Sequence, residues 1–528
     1  MRALNSYERT AIMEHKILQR KKRNNITKNQ LLVFCLLAAG ILVRILYLGG
    51  VPAGINQDEA YAAYEAYSML HYGHDSYGYQ NPVYFVAWGS GMNVLNSYLM
   101  MPFIAIFGMH DWVVRLPQVI VACISLGVFY KLLKMMFSEE IATIGLFLLV
   151  ISPWHIMMAR WGLESNLAPG FLLFGFYFFV KGIQNNKYYL LSAFMYGLSL
   201  YCYATVWEML PFVLLAQVLY LAWKKELRIN GYTIGFVAIM AVMALPLILF
   251  LLINVGVMEE IRTPLLSIPR LVEMRASEIS LSHIGENFYN LYQILTKQND
   301  NLIWNATEEF GLYYHFSLPF ALIGMGHLIH GIREKKKISY EVFVLIQLAG
   351  AILAGCLIYV NINRINFIHL WVIVLIALGV YDVCHHFGKI AGCAVKAAYG
   401  ISFLAFVSFY FTSYADTVAD TFQDGLGEVI EYAMDNSEKI YITSRVSYSK
   451  VLYYSQYPVD DYMETVKYTN YPSAYLSAYS FGPFQFYTDC VYTETSGAYI
   501  LHVNDISDTV ASYHKVFYAG DYGCVIVE

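Results

Sequence analysis

Two adjacent carboxylates stand in Ile55-Asn56-Gln57-Asp58-Glu59-Ala60, about nine residues beyond the first apolar run. Acids just past a first membrane span can do proton chemistry at the water boundary. A general base must lie within hydrogen-bond reach of the proton it removes. The same residues also read as a helix start, with Asp58 as the cap and Glu59 in the first turn of a helix Glu59–Leu70. One residue can do both. Further charges sit where a bilayer disfavours them. Arg44 lies about two-thirds of the way across the first apolar run, and Arg115 opens the second. Arg160 and Glu164 bracket the exit of the third, Glu208 begins the sixth, and Arg364 follows Asn361 at the outer end of the ninth. Singly, each Arg could snorkel to the headgroups. Four Arg and three carboxylates in one leaflet suit a lipid phosphate. Guanidinium groups hold phosphate through paired, permanently charged donors and stabilise charge on a leaving phosphate. Asp58 would then take the proton of an attacking hydroxyl. No Gly-rich nucleotide loop is evident in the sequence, and a lipid-linked donor needs none.

The elements that must position these groups are membrane helices. The 528-residue chain is 58% hydrophobic and 14% charged, well below the quarter charged of soluble domains. Eleven apolar segments are expected to span: 31–49, 112–134, 139–159, 166–182, 188–206, 208–223, 232–255, 312–331, 339–360, 365–381 and 393–414. A shorter run, 93–108, holds Pro102. With the N-terminus inside and 93–108 not spanning, the clusters Lys131/Lys134, Lys181/Lys187, Lys224/Lys225/Arg228, Arg333/Lys335/Lys336/Lys337 and Lys389/Lys396 all fall on the cytoplasmic side. If it spans, every one lands outside. Residues 50–111 are therefore one external loop, with interfacial helices and tyrosines (Tyr61, Tyr64, Tyr79, Tyr84) suited to the headgroup level. The same parity puts the long loop 256–311 and the tail outside. Residues 1–30 read as a basic cytoplasmic stub before a retained helix.

From Ala415 onward there are 16 acidic and 5 basic residues, a balance of −11, which leaves 23 acidic and 29 basic residues before it, a balance of +6. The two parts are different objects. Residues 415–528 read as a small external α/β domain, with a helix Gly425–Asp435 and strands 439–443, 498–503, 516–518 and 524–527. It could bind the acceptor, contact a partner or pack on the bundle. Cys490 and Cys524 could pair there or remain thiols. His155 and His369 read as interior histidines.

The motifs resemble the GT-C class of membrane glycosyltransferases, in the branch of protein O-mannosyltransferases and aminoarabinose transferases (family 39), as found in Gram-positive bacteria. The resemblance rests on Gln57-Asp58-Glu59, Asn81-Pro82-Val83-Tyr84, Phe107 through Arg115-Leu116-Pro117, Ser152-Pro153 with Ala159-Arg160, Ile268-Pro269-Arg270 with Glu273-Met274-Arg275, and Asn361 through Arg364. It implies transfer from a polyprenyl-phosphate sugar to an acceptor hydroxyl of a protein, teichoic acid, glycan or lipid, at the outer face of the cell membrane. It implies catalytic roles for Asp58, Glu59 and Glu164. Phosphate or lipid binding falls to Arg44, Arg115, Arg160, Arg270 and Arg364. Substrate contacts fall to Asn56, Asn81, Tyr84, Trp88 and Asn361. Asn81 stands where relatives carry a phosphate-binding Lys or His. No cofactor or nucleic acid is implied, although Asp58, Glu59 and Glu164 could hold Mg²⁺ or Mn²⁺ through oxygen. The loop 256–311, mixed apolar and basic, suits a groove for a prenyl phosphate, or a lid that only packs on the bundle. The competing functions are a flippase for lipid-linked sugars and a non-catalytic binder of them.

Overall fold

The computed structural model describes residues 28–274, 281–334, 338–487 and 495–528. Most of the basic stub, Arg275, Lys335 to Lys337 and Cys490 lie outside them. Each of the eleven apolar segments contains helix. Among the described residues, seven helices, from Lys28–Ile45 to Ile368–Tyr410, are long and apolar enough to cross a membrane. Three others are shorter than the sequence suggests: Glu139–Ile151, Tyr188–Ser199 and Leu318–Glu334. The segments read as 365–381 and 393–414 belong to one 43-residue helix, broken at Gly388, whose φ of 77° an L side chain resists. Lys28–Ile45 and Gly231–Asn254 bury only 17% of their apolar windows, so their remaining faces are left for lipid. Leu318–Glu334 meets the long helix backbone to backbone. A Cβ on Gly324 would lie 1.9 Å from the Leu375 oxygen, and one on Gly379 the same distance from the Phe320 oxygen.

The loop 50–111, expected to lie on the interface, is packed into the protein. Its helix Gln57–His71 is sandwiched between the loop's own helix Leu95–Phe107 and the tail helix Tyr448–Ser455. Tyr61, Tyr64, Tyr79 and Tyr84 are buried in protein. The reason is packing. Ile55, Tyr61, Tyr64 and Phe85 of the loop share one hydrophobic core with Leu426, Val451, Tyr462 and Phe481 of the tail. The short helix Leu95–Phe107 does expose Ile106 and Phe107.

In the long loop, β1 (Ile261–Arg262) and β2 (Ser267–Ile268) form a hairpin. It is strapped to the first loop by Val83 N–H to the Ser267 oxygen (3.0 Å) and the Asn81 amide to the Pro264 oxygen (2.9 Å). The tail builds a seven-stranded mixed sheet from β3 (Ile440–Thr443), β4 (Lys467–Tyr468), β5 (Ala478–Phe481), β6 (Phe484–Tyr487), β7 (Gly497–His502), β8 (Lys515–Ala519) and β9 (Tyr522–Val527). Its order is β4-β5-β6-β3-β7-β9-β8, with β3 parallel to both β6 and β7. The helix Leu426–Asn436 and four strands lie close to the expected positions. The segment β4 to β6 and the helices Tyr448–Ser455 and Val459–Thr465 add to them. Cys524 is buried on β9.

Candidate functional site

The helix Gln57–His71 starts two residues earlier than a cap at Asp58 would put it. Asn56 is the cap. Its side chain accepts from the Asp58 N–H at 3.0 Å, and Glu59 reaches back toward the Asn56 N–H at 3.4 Å, a reciprocal capping box. Ala60, Ala62, Ala63 and Ala66 favour the helix and keep it slim enough to be covered on two sides. Capping therefore does not consume the Asp58 carboxylate, which is half-buried and lines a cavity of about 500 Å³.

That cavity brings together Asp58, Tyr84, Trp88, Glu164, Asn361 and Arg364 of the predicted set. Glu164 stands on a single 3-10 turn and accepts a short hydrogen bond from the Asn93 N–H. Asn361 accepts from the Arg364 N–H at 2.8 Å, and Thr205 donates to the Arg364 oxygen at 2.9 Å, which fixes that loop. The Arg364 guanidinium donates to the Tyr359 oxygen at 3.1 Å. One wall is apolar. Tyr84 packs on Phe250 (4.5 Å between ring centres) and Trp207 (5.7 Å), with Leu251, Leu271 and Met274 beside them. Glu208, Asn93, Asn363 and Tyr203 also face the cavity and were not among the predicted site residues. Glu208 had a signal, an acid opening an apolar helix. The others had none.

Four predicted residues lie elsewhere, inside the protein. Glu59 and Arg115, both fully buried, form an ion pair. Arg115 Nε donates to Glu59 Oε1 at 2.9 Å and Nη2 to Oε2 at 3.2 Å. Glu59 also accepts from the Gly162 N–H at 2.7 Å. The remaining Arg115 donors hold the oxygens of Leu48, Pro52 and Gly54. Arg160 donates to the oxygens of Val43, Arg44, Tyr47 and Val51, beneath the rings of Tyr410 and Phe411. It thereby satisfies carbonyls that the helix Lys28–Ile45 leaves unpaired at its end. Arg44 donates to His155 Nδ1 and to the oxygens of Gly40, Leu149 and Val150. Asn81 and Arg270 are exposed, and Arg270 pairs with Glu259 at 3.2 Å. His369 bonds to the Tyr313 hydroxyl. Because Glu59 turns into the Arg115 pair, the trio Asp58, Glu59, Glu164 does not converge. Among the described residues, no group of three or more His, Cys, Asp or Glu side chains is placed to hold a metal ion.

A second cavity, of about 830 Å³, opens on the other side of Asp58, Trp88 and Arg364. Its remaining wall comes from the tail, which docks firmly here. Ser449 donates to the Gln57 oxygen (2.9 Å), the Leu476 N–H to the Trp88 oxygen (2.7 Å), the Ile55 N–H to the Phe422 oxygen (3.1 Å) and Tyr453 to Asp111 (2.9 Å). Lys450 is buried at this junction. It donates to the Phe422 oxygen at 3.0 Å, and burial pulls its ammonium down to about 7 against the smaller opposing pull of Glu59 and Asp111. On the far side of the same helix, Glu65 accepts from the N–H and hydroxyl of Ser76. Burial first, and the charge of Asp75 second, push its carboxyl upward.

The frame that carries this site is apolar and helical. The family model for dolichyl-phosphate-mannose-protein mannosyltransferases matches residues 94–253. A putative mannosyltransferase of Bacillus subtilis (strain 168), YkcB, is 36% identical over 90 residues, a stretch spanning 17% of this chain and 13% of YkcB. ArnT from Cupriavidus metallidurans, solved bound to undecaprenyl phosphate, has the same fold, with a TM-score of 0.55, 11% identity, and coverage of 94% of this chain and 98% of ArnT. The Archaeoglobus fulgidus oligosaccharyltransferase in its apo form scores 0.51 at 12% identity, over 81% of this chain and 64% of the other. These likenesses support the GT-C class and a multi-pass membrane protein.

Proposed function

We propose that this protein transfers a sugar from a polyprenyl-phosphate donor to an acceptor hydroxyl on the extracytoplasmic side of the cell membrane. One observation carries the reading. A single cavity is lined by Asp58, Glu164 and Arg364 together with an apolar wall that includes Tyr84, Phe250 and Leu271. Asp58 takes the acceptor proton as the hydroxyl oxygen attacks the anomeric carbon. The bond from that carbon to the phosphate oxygen breaks, its electron pair stays on the phosphate, and Arg364 stabilises the charge that develops. The prenyl chain runs along Tyr84, Phe250 and Leu271. Glu164, fixed by the Asn93 N–H, and Glu208 bind sugar hydroxyls. Arg44, Arg115, Arg160 and Glu59 act at one remove, by holding the backbone that carries Asp58.

The test is incubation of the purified full chain in lipid nanodiscs with a panel of polyprenyl-phosphate sugars, reading released polyprenyl phosphate. Release by the native protein, together with its loss in Asp58→Asn while donor binding persists, is the expected result. Equal release by Asp58→Asn, or release from none of the panel, refutes the assignment.

A further inference from the structure

We infer that the cavity beneath the tail is the acceptor site, and that it takes a neutral saccharide chain. This rests on the transferase reading above and deepens it. Two cavities meet at Asp58, Trp88 and Arg364, and these residues belong to both walls. The first is lined by loop residues such as Tyr84, Asn93, Glu164 and Asn361 and by Trp207, Glu208, Phe250 and Leu251 of two long apolar helices. The second is walled by Ser444–Tyr448, Thr469, Tyr475–Tyr479, Phe486 and Tyr487, all on the tail. A base placed where two chambers join can serve a donor in one and an acceptor in the other.

Topology points to the same surface. In open α/β sheets, ligands bind beyond the carboxyl ends of parallel strands, where strand order reverses direction. Here β3 is that point. The chain runs from β3 to β4, β5 and β6 on one side, and then to β7 on the other. The residues just after β3, Ser444–Tyr448, and the last residue of its parallel neighbour β6, Tyr487, form the cavity wall. The crevice expected of such a sheet therefore opens towards Asp58.

The lining selects the ligand. The tail carries 16 acidic residues, yet among the described residues Asp58 is the one acid in the wall. Arg445, also in the wall, is paired with Asp505 at 3.5 Å. Arg364 stands beside Asp58 at the junction, and the rest of the lining is Gln57, a few aliphatic side chains, rings and hydroxyls. Tyr475 and Tyr479 are 58% and 41% exposed, and Trp88 and Tyr487 stand with them. Ser444, Ser447, Thr469 and Ser477 supply hydroxyls. Ring faces cover the C–H faces of pyranoses, and hydroxyls exchange hydrogen bonds with theirs. A peptide would instead be expected along a free sheet edge. The edges here are β4 and β8, and the cavity lies beyond the ends of β3 and β6, meeting the edge strand β4 only past its last residue, at Thr469.

The experiment is titration of the full chain in nanodiscs, without donor, with neutral oligosaccharides of three to five residues and with peptides of matching length. Calorimetry and saturation-transfer NMR provide the readout. Saturable saccharide binding is expected. In Tyr475→Ala/Tyr479→Ala, Kd should rise about tenfold, equivalent to ~1.4 kcal/mol, and Tyr475→Phe/Tyr479→Phe should restore it. The inference is overturned if no saccharide binds, if a peptide binds in its place, or if the Ala pair leaves Kd unchanged. Donor turnover is scored separately. Saccharide binding without polyprenyl phosphate release sinks the transferase reading and leaves this site standing. Release without saccharide binding does the reverse.

Discussion

Neighbouring carboxylates at 58 and 59 should fail in opposite ways. Asp58 faces a cavity, and its replacement by Asn keeps size and shape. Stability should change by no more than about 0.5 kcal/mol, while turnover falls ~10²–10⁴-fold with loss of the base. Glu59 is fully buried and takes two hydrogen bonds from Arg115 and one from the Gly162 N–H. In Glu59→Gln one oxygen becomes an NH₂ that meets Arg115 donor to donor, and a buried guanidinium loses its counter-charge. Removing one partner of a buried pair costs about 3–5 kcal/mol. Replacing both, as Glu59→Met with Arg115→Met, should not recover that loss. The oxygens of Leu48, Pro52 and Gly54 would be orphaned, at roughly 1–3 kcal/mol for each buried group left unpaired. The assay is thermal unfolding in nanodiscs, paired with polyprenyl phosphate release per folded molecule. If Glu59→Gln melts like the native protein yet loses turnover as Asp58→Asn does, the division of labour drawn here is wrong.

Three other outcomes are expected. Arg364→Gln should weaken binding of undecaprenyl phosphate ~10–100-fold, the worth of a charge-assisted hydrogen bond of about 1.5–3 kcal/mol, whereas Arg160→Gln should lower stability and leave affinity per folded molecule alone; the reverse pattern in a binding titration would assign the phosphate to Arg160. The raised carboxyl of Glu65 binds more protons folded than unfolded, so its contribution is present below the ordinary carboxylate range of about 4 and is lost as pH climbs toward about 8; melting curves of Glu65→Gln should fall less than native over that window, and parallel curves would exclude the effect. Lys450 is shifted the other way, so the unfolded chain binds more protons between about 7 and the ordinary lysine value of about 10.4, and native stability should rise across that interval; Lys450→Met should flatten the rise, and an unchanged slope would show that the ammonium is not desolvated.

What could be read from the sequence follows from what lipid imposes. Apolar runs near bilayer length must be helical, because backbone groups find no other partner there. The break at Gly388 was read as a gap between two spans, since composition does not record a single strained φ. The costly arginines were also visible, but not what they hold. Arg160 gives all its hydrogen bonds, and Arg115 those not taken by Glu59, to carbonyls, and a carbonyl belongs to every residue, so no pattern announces it. The shared core of loop and tail was unreadable for a related reason: the Ser449–Gln57 bond joins residues 392 positions apart. The strands β4 to β6 escaped notice because they are short and lie in a tract of Tyr, Ser and Pro that reads as turns. Asn56 lost the cap to Asp58 in the sequence reading because both are good caps, and the capping box that decides between them depends on where Glu59 points.

The docking of Tyr448–Ser455 against Gln57–His71 bears on protein engineering. A hybrid enzyme that joins the membrane half of one homologue to the tail of another would bring mismatched knobs against the segment bearing Asp58 and tilt it. Exchange of specificity modules should therefore succeed when the cut points take residues 50–111 along with 415–528 as a matched set, and fail when the splice follows the bilayer surface.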